Sequence, residues 1–130
     1  MSEVPEKKIL ILEDDLLISM VTKKYLTRLG YIVDSETNGR SGLEYLEKTD
    51  KLPDLILSDI MMPNMDGLDF LKNIRRERKY DLIPVFAITS MADELIYNKN
   101  SSSGFKKIIQ KPFSLSDLAI DIKELFGEIK

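Results

Sequence analysis

The chain has 130 residues, 19 Lys and Arg against 22 Asp and Glu, and no His, Cys or Trp. That length fits one compact domain, and 43% hydrophobic with 32% charged residues is a globular rather than a disordered composition. Lacking Cys, the chain has no disulfide, thiolate metal site or cysteine nucleophile; lacking His, it has no Ser-His-Asp triad, histidine-bound zinc or phosphohistidine of its own. A net charge of −3 gives no electrostatic reason to expect direct nucleic-acid binding. Met1-Ser2-Glu3-Val4-Pro5-Glu6 carries acid where a signal peptide carries positive charge and an apolar run. No apolar run approaches the about 20 residues that span a bilayer. The reading is a soluble, cytoplasmic single domain over residues 1–130, with a core over about 7–128 and no membrane partner.

Short apolar runs alternate with helix-period segments, the pattern of βα units around a parallel sheet. Ile9-Leu10-Ile11-Leu12 reads as the first strand and stops at Glu13-Asp14-Asp15. Ile18, Val21, Tyr25 and Leu29 follow at helical spacing, with Gly30 in a helix C-cap position. Tyr31-Ile32-Val33 reads as a second strand and Asn38-Gly39 as a loop. Leu43 and Leu46 give one face to a short second helix. Leu55-Ile56-Leu57 is the third strand, entered through Pro53-Asp54 and ended by Ser58-Asp59. A turn-rich stretch from Met62 to Gly67 leads to a helix with Leu68, Leu71 and Ile74 inward. Pro84 to Ile88 is the fourth strand, closing on Thr89-Ser90, and Lys107-Ile108-Ile109 a weak fifth before Gln110-Lys111-Pro112. Ser114, with Asp117 three residues on, opens a last helix striped by Leu115, Leu118, Ile122 and Leu125. Five strands and at least four helices alternate. Right-handed crossovers make this a doubly wound α/β sheet with helices on both faces, in the flavodoxin-like order 2-1-3-4-5. Between the fourth and fifth strands, Asn98 to Gly104 is poor in helix formers, so a helix there is short or frayed.

In such a sheet ligands bind beyond the carboxyl ends of the strands. Those ends carry Glu13, Asp14 and Asp15 after strand 1, Asp59 at strand 3, Thr89-Ser90 at strand 4 and Lys111 at strand 5. Clustered carboxylates repel unless a cation neutralises them, and oxygen ligands without His or Cys suit Mg²⁺. A carboxylate on Mg²⁺ beside a Lys and a Thr is equipment for phosphoryl transfer to or from that carboxylate.

Across residues 7–128 the chain resembles the response-regulator receiver domains of two-component signalling. The motifs are Ile9 to Asp15, Pro53 to Pro63, Met65-Asp66-Gly67, Ala87-Ile88-Thr89-Ser90 and Lys111-Pro112-Phe113, in order and each at a predicted strand end. The resemblance implies that Asp59 is the phosphoacceptor. It implies that Asp14 ligates Mg²⁺, with Glu13 reaching it through water and the Met61 carbonyl as a further ligand. Thr89 then bonds the phosphoryl group, Lys111 pairs with it, and the peptide before Pro112 is cis. The implied donor is a partner histidine kinase or histidine phosphotransfer protein, with an unidentified downstream protein receiving the signal. The chain is then no enzyme toward other substrates; it catalyses only the phosphorylation and dephosphorylation of its own Asp59.

Some residues have plainer readings: Asp15 caps the first helix, Asp66 shapes its turn with Gly67, Met61 and Met62 pack, and Arg75 to Lys79 faces water at a helix C-terminus. Three features depart from the family pattern. Ile108 stands where an aromatic usually sits, Ser90 where Ala is common, and the segment before strand 5 is polar. Two other functions compete. A phosphorylation-independent pseudo-receiver would serve as a docking module. A Mg²⁺-dependent phosphatase with an aspartyl-phosphate intermediate needs an acid two residues after the nucleophile, where this chain has Met61.

Overall fold

The apolar runs form five parallel strands in the computed structural model, which describes residues 6–62, 65–90 and 104–128. In chain order the elements are β1 (Lys8–Leu12), α1 (Leu16–Arg28), β2 (Ile32–Glu36), α2 (Gly39–Lys48), β3 (Leu55–Asp59), α3 (Gly67–Ile74), a 3₁₀ turn (Arg78–Tyr80), β4 (Val85–Thr89), β5 (Lys107–Gln110) and α4 (Leu115–Leu125). The sheet order is β2-β1-β3-β4-β5, as the alternation of elements predicts. Of the stretch from Asn98 to Gly104, where a short or frayed helix is predicted, all but Gly104 lies outside the described residues, as do Pro63 and Asn64 of the turn after strand 3. No described helix is long and apolar enough to cross a membrane.

β1, β3 and β4 are buried at every position, because helices cover both faces of a parallel sheet. Successive side chains alternate between those faces. Ile9, Ile11, Leu55, Leu57, Phe86 and Ile88 pack with Leu26 of α1 and Leu118 and Ile122 of α4. Leu10, Leu12, Ile56 and Val85 pack on the other side with Leu46 of α2 and Phe70, Leu71 and Ile74 of α3. Ile60 and Ala87 form a smaller cluster with Leu68, Phe105 and Ile108.

Several local expectations shift. The second strand begins at Ile32 and runs to Glu36, three residues beyond the predicted end, since a polar run is acceptable on an edge strand where Val33 alone is fully buried. On α1 the inward face is Ser19, Thr22 and Leu26, while Val21 is 47% and Leu29 40% exposed. Ile18 and Tyr25 of the predicted stripe are half-buried, with Tyr25 packed on the core, so apolar spacing set the rotation only in part; Leu16, Leu17 and Met20 are exposed as well. Asn38 is not simply loop. Its side chain accepts from Ser41 N–H at 2.9 Å and caps α2. Gly30, at φ +103°, ends α1 as predicted. Arg75 is half-buried rather than water-facing: its guanidinium donates to the carbonyls of Tyr80 and Ile83 at 2.9 and 2.8 Å, pinning the loop into β4.

The Tyr80 ring is buried against the α3 side of the core, and its hydroxyl has no hydrogen-bond partner among the described residues. A buried unpaired hydroxyl costs about 1–3 kcal/mol. Tyr80→Phe is therefore expected to hold or raise stability, by up to about 1 kcal/mol, in urea denaturation. Phe70→Ala, which empties a fully buried site, is expected to cost about 3–5 kcal/mol.

Candidate functional site

The carboxyl ends of β1, β3, β4 and β5 deliver the predicted residues to one rim. Asp59 closes β3 and is 5% exposed. Its Oδ1 accepts from the Met61 N–H at 3.1 Å, and its Oδ2 accepts from Lys111 Nζ at 2.9 Å. The same ammonium donates to Glu13 Oε1 at 3.2 Å. Glu13 follows β1; its backbone N–H donates to the Glu36 carbonyl and its Oε2 accepts from Asp15 N–H, both at 3.1 Å. Asp15 caps α1 through Leu17 and Ile18, as the sequence predicts, so the helix start fixes the residue that fixes Glu13.

Glu13, Asp14 and Asp59 each bring a carboxylate oxygen within 4.8 Å of the others, with Asp14 the exposed member. Thr89 ends β4, is 1% exposed, and lies one strand from Asp59. The Met61 side chain is 61% exposed, so its link to the site is through the backbone. The Lys111–Pro112 peptide is cis, as the family resemblance implies. Ile108 is half-buried in the cluster with Ile60, Ala87 and Phe105.

The loop after Asp59 is held close by Gly67. Its N–H donates to the Ile60 carbonyl at 3.0 Å, and a Cβ there would stand 2.5 Å from the Asp59 carbonyl. Any side chain at 67 would push the loop off the strand end. Asp66 caps α3 through Asp69 N–H at 2.9 Å, which makes its role a helix start as well as a turn.

Sequence reasoning passed over Gln110. Its Nε2 donates to the carbonyls of Ser90 and Lys111 at 3.0 and 2.9 Å. A polar side chain immediately before the lysine, at a strand end, was the available signal. Beside the rim, between α1 and the start of α4, an open apolar groove of about 560 Å³ is lined by Leu17, Val21, Pro112, Phe113 and Leu115.

Burial pushes the Glu13 carboxyl up to about 7; neighbouring Asp59 adds to this, while the Asp15 N–H and Lys111 oppose it. Lys111 is held above its ordinary value: burial disfavours its ammonium, but the bond to Asp59 and the charges of Asp59 and Glu13 outweigh that. From about pH 4.5 to 7 the folded state keeps the Glu13 proton that the unfolded state has released, so stability falls as pH rises through that window. Without divalent cations, denaturation is expected to show this loss, at most about 3 kcal/mol. Glu13→Gln is expected to flatten it.

Comparison with known proteins agrees with the geometry. Residues 9–123 match the response regulator receiver domain family. The chain is 36% identical over 115 residues to the sensor histidine kinase CheAY of Helicobacter pylori, covering 88% of this chain and 14% of that one. It spans 56% and 7% of two further relatives, so it corresponds to a part of each. Among solved structures, the signal receiver domain of a signal transduction histidine kinase from Syntrophus aciditrophicus is 32% identical at a TM-score of 0.83, covering 95% of this chain and 92% of that one. The receiver domain of a sensor histidine kinase from Pseudomonas aeruginosa PAO1, solved with a magnesium ion in its active-site cleft, is 25% identical at a TM-score of 0.83, covering 95% and 99%. With the match spanning most of its length and every strand in the expected order, this chain belongs to the response regulator receiver domain family.

Proposed function

We propose that the protein is a phosphoacceptor switch that takes a phosphoryl group onto Asp59 from the phosphohistidine of a histidine kinase or histidine phosphotransfer protein. The observation that carries this is the contact of the buried Asp59 carboxylate with Lys111 at 2.9 Å, beside Glu13 and Asp14. A structural aspartate at a strand end needs neither a half-buried ammonium nor two further acids. The donor must bring the histidine, since this chain has none. In the transfer, an Asp59 oxygen forms the new P–O bond as the P–N bond to the donor imidazole breaks, and the imidazole takes up a proton. Lys111 meets the charge on the transferring oxygens, and Thr89 supplies a hydroxyl from the neighbouring strand. Hydrolysis of the acyl phosphate then resets the site.

The donor set Glu13, Asp14 and Asp59, all oxygen, fits Mg²⁺, with the Met61 carbonyl a further ligand. Bound there, Mg²⁺ would neutralise phosphoryl oxygens and template the in-line geometry. A protein donor also suits the surroundings. Leu16, Leu17, Met20 and Val21 expose an apolar strip of α1 beside the rim, 69%, 66%, 60% and 47% exposed, next to the apolar groove.

Incubation with acetyl phosphate and Mg²⁺, read by intact-mass spectrometry, is expected to add one phosphoryl group to wild type and none to Asp59→Asn. An unmodified wild type would favour a phosphorylation-independent docking module. Millimolar Mg²⁺ is expected to raise the melting temperature of wild type by mass-action linkage, and to do so far less in Asp14→Asn. Equal shifts in both proteins would remove Asp14 from the metal site.

A further inference from the structure

One side chain joins the two loops that carry Thr89 and Lys111 without touching Asp59. Gln110 is the last residue of β5 and pairs in register with Thr89, the last of β4. Paired residues of parallel neighbours project from the same side of the sheet, so Gln110 stands on the Thr89 face. The backbone rung joining the strand ends is Lys111 N–H to the Thr89 carbonyl, at 2.8 Å. The Gln110 carboxamide adds a side-chain link beside that rung, reaching the Ser90 carbonyl at 3.0 Å and the Lys111 carbonyl at 2.9 Å. Its two amide hydrogens serve one loop each. A glutamine exposed on an edge strand gains little from ordering its side chain unless both bonds hold.

We propose that Gln110 is a positioning residue for the phosphoacceptor reaction: by tying the Ser90 carbonyl to the Lys111 carbonyl, it sets the spacing between the Thr89 side chain and the Lys111 ammonium across Asp59. This rests on the phosphoacceptor reading above. Ser90 directly follows Thr89, and Lys111 directly follows Gln110, so losing the tie loosens the rim on both sides and leaves the Lys111 amide rung as the link between them. Lys111 reaches Asp59 on a four-carbon stem whose alignment depends on where that backbone sits. Gln110 is exposed and belongs to neither large core cluster, so its loss falls on alignment rather than on folding.

The test follows phosphorylation at a fixed acetyl phosphate and Mg²⁺ concentration by intact mass. It compares wild type, Gln110→Ala and Gln110→Glu, with the Ala change repeated in a Lys111→Ala background and melting temperatures measured throughout. Gln110→Ala is expected to slow phosphorylation about threefold to tenfold, the span of one or two hydrogen bonds, at an unchanged melting temperature. Gln110→Glu is expected to be slower still, because its carboxylate faces two carbonyls with no hydrogen to give. Without Lys111, the same Ala change is expected to alter the rate by less than about twofold, since residues acting through one another are not additive. A Gln110→Ala rate equal to wild type, a Glu variant as fast as glutamine, or the full Ala effect persisting without Lys111 would each overturn the role. So would a rate loss matched by a fall in melting temperature. Wild type that takes no phosphoryl group would instead remove the phosphoacceptor reading, and this role with it.

Discussion

The site is organised by an imbalance of charge that the Lys111 ammonium only partly corrects. Glu13, Asp14 and Asp59 crowd their carboxylates within 4.8 Å, and Lys111 pairs with two of them. If all are ionised, three negative charges and one positive leave −2 in a mostly buried space. A pair of unit charges 4 Å apart is worth about 4 kcal/mol at the effective dielectric of a protein boundary, so neither repulsion nor attraction here is small. The chain alone can relieve the excess by keeping a proton on Glu13, the direction in which burial and Asp59 push it. A divalent cation would relieve it more completely, cancelling the residual charge. Proton and divalent cation are thus alternative answers to one electrostatic problem.

The rest of the fold keeps that imbalance from dispersing. Parallel strands place all their carboxyl ends on one rim, and short connections leave the acids little room to move apart. Asp15 fastens Glu13 from the first turn of α1, while Met61 N–H holds one oxygen of Asp59 and Lys111 the other. Gly67 lets α3 press directly on the Asp59 backbone. Behind these contacts β1, β3 and β4 are buried throughout, so the acid ends are anchored in the packed core.

The strands and the rim were legible in the sequence because their signals are local: an apolar run ending in a polar residue is both a buried strand and a site position. Ser114 and Asp15 were legible as caps for the same reason. What failed depended on tertiary choice. On α1, apolar residues occupy both sides of the helix, and only packing selects Ser19, Thr22 and Leu26 for the sheet. β2 continues through Asp34 to Glu36 because an edge strand accepts polar side chains, which a search for apolar runs overlooks. Arg75 looked like one of several surface cations, and its selection by two loop carbonyls has no sequence signature. Gln110 was missed because what gives its side chain a role is a backbone carbonyl across the strands, that of Ser90, which leaves no mark in the local sequence.

Ile108 gives the end of the sheet its particular character. A β-branched side chain has few χ1 options, and this one is packed with Ile60, Ala87, Leu68 and Phe105. The large ring in this region belongs to Phe105, which touches both this cluster and the α3 side of the core and sits before β5 rather than on it. A swinging aromatic on the strand is therefore not available to relate β4 to β5. Hydrogen bonds relate them at the rim, among them the Lys111 amide to Thr89 and the Gln110 carboxamide to Ser90. Because the Lys111 side chain also bridges β5 to Glu13 and Asp59, displacement of that ammonium pulls on the same backbone whose amide holds Thr89. The contacts of Asp59 and the link between the last two strands thus share one residue, Lys111, through polar contacts where the family pattern places a ring.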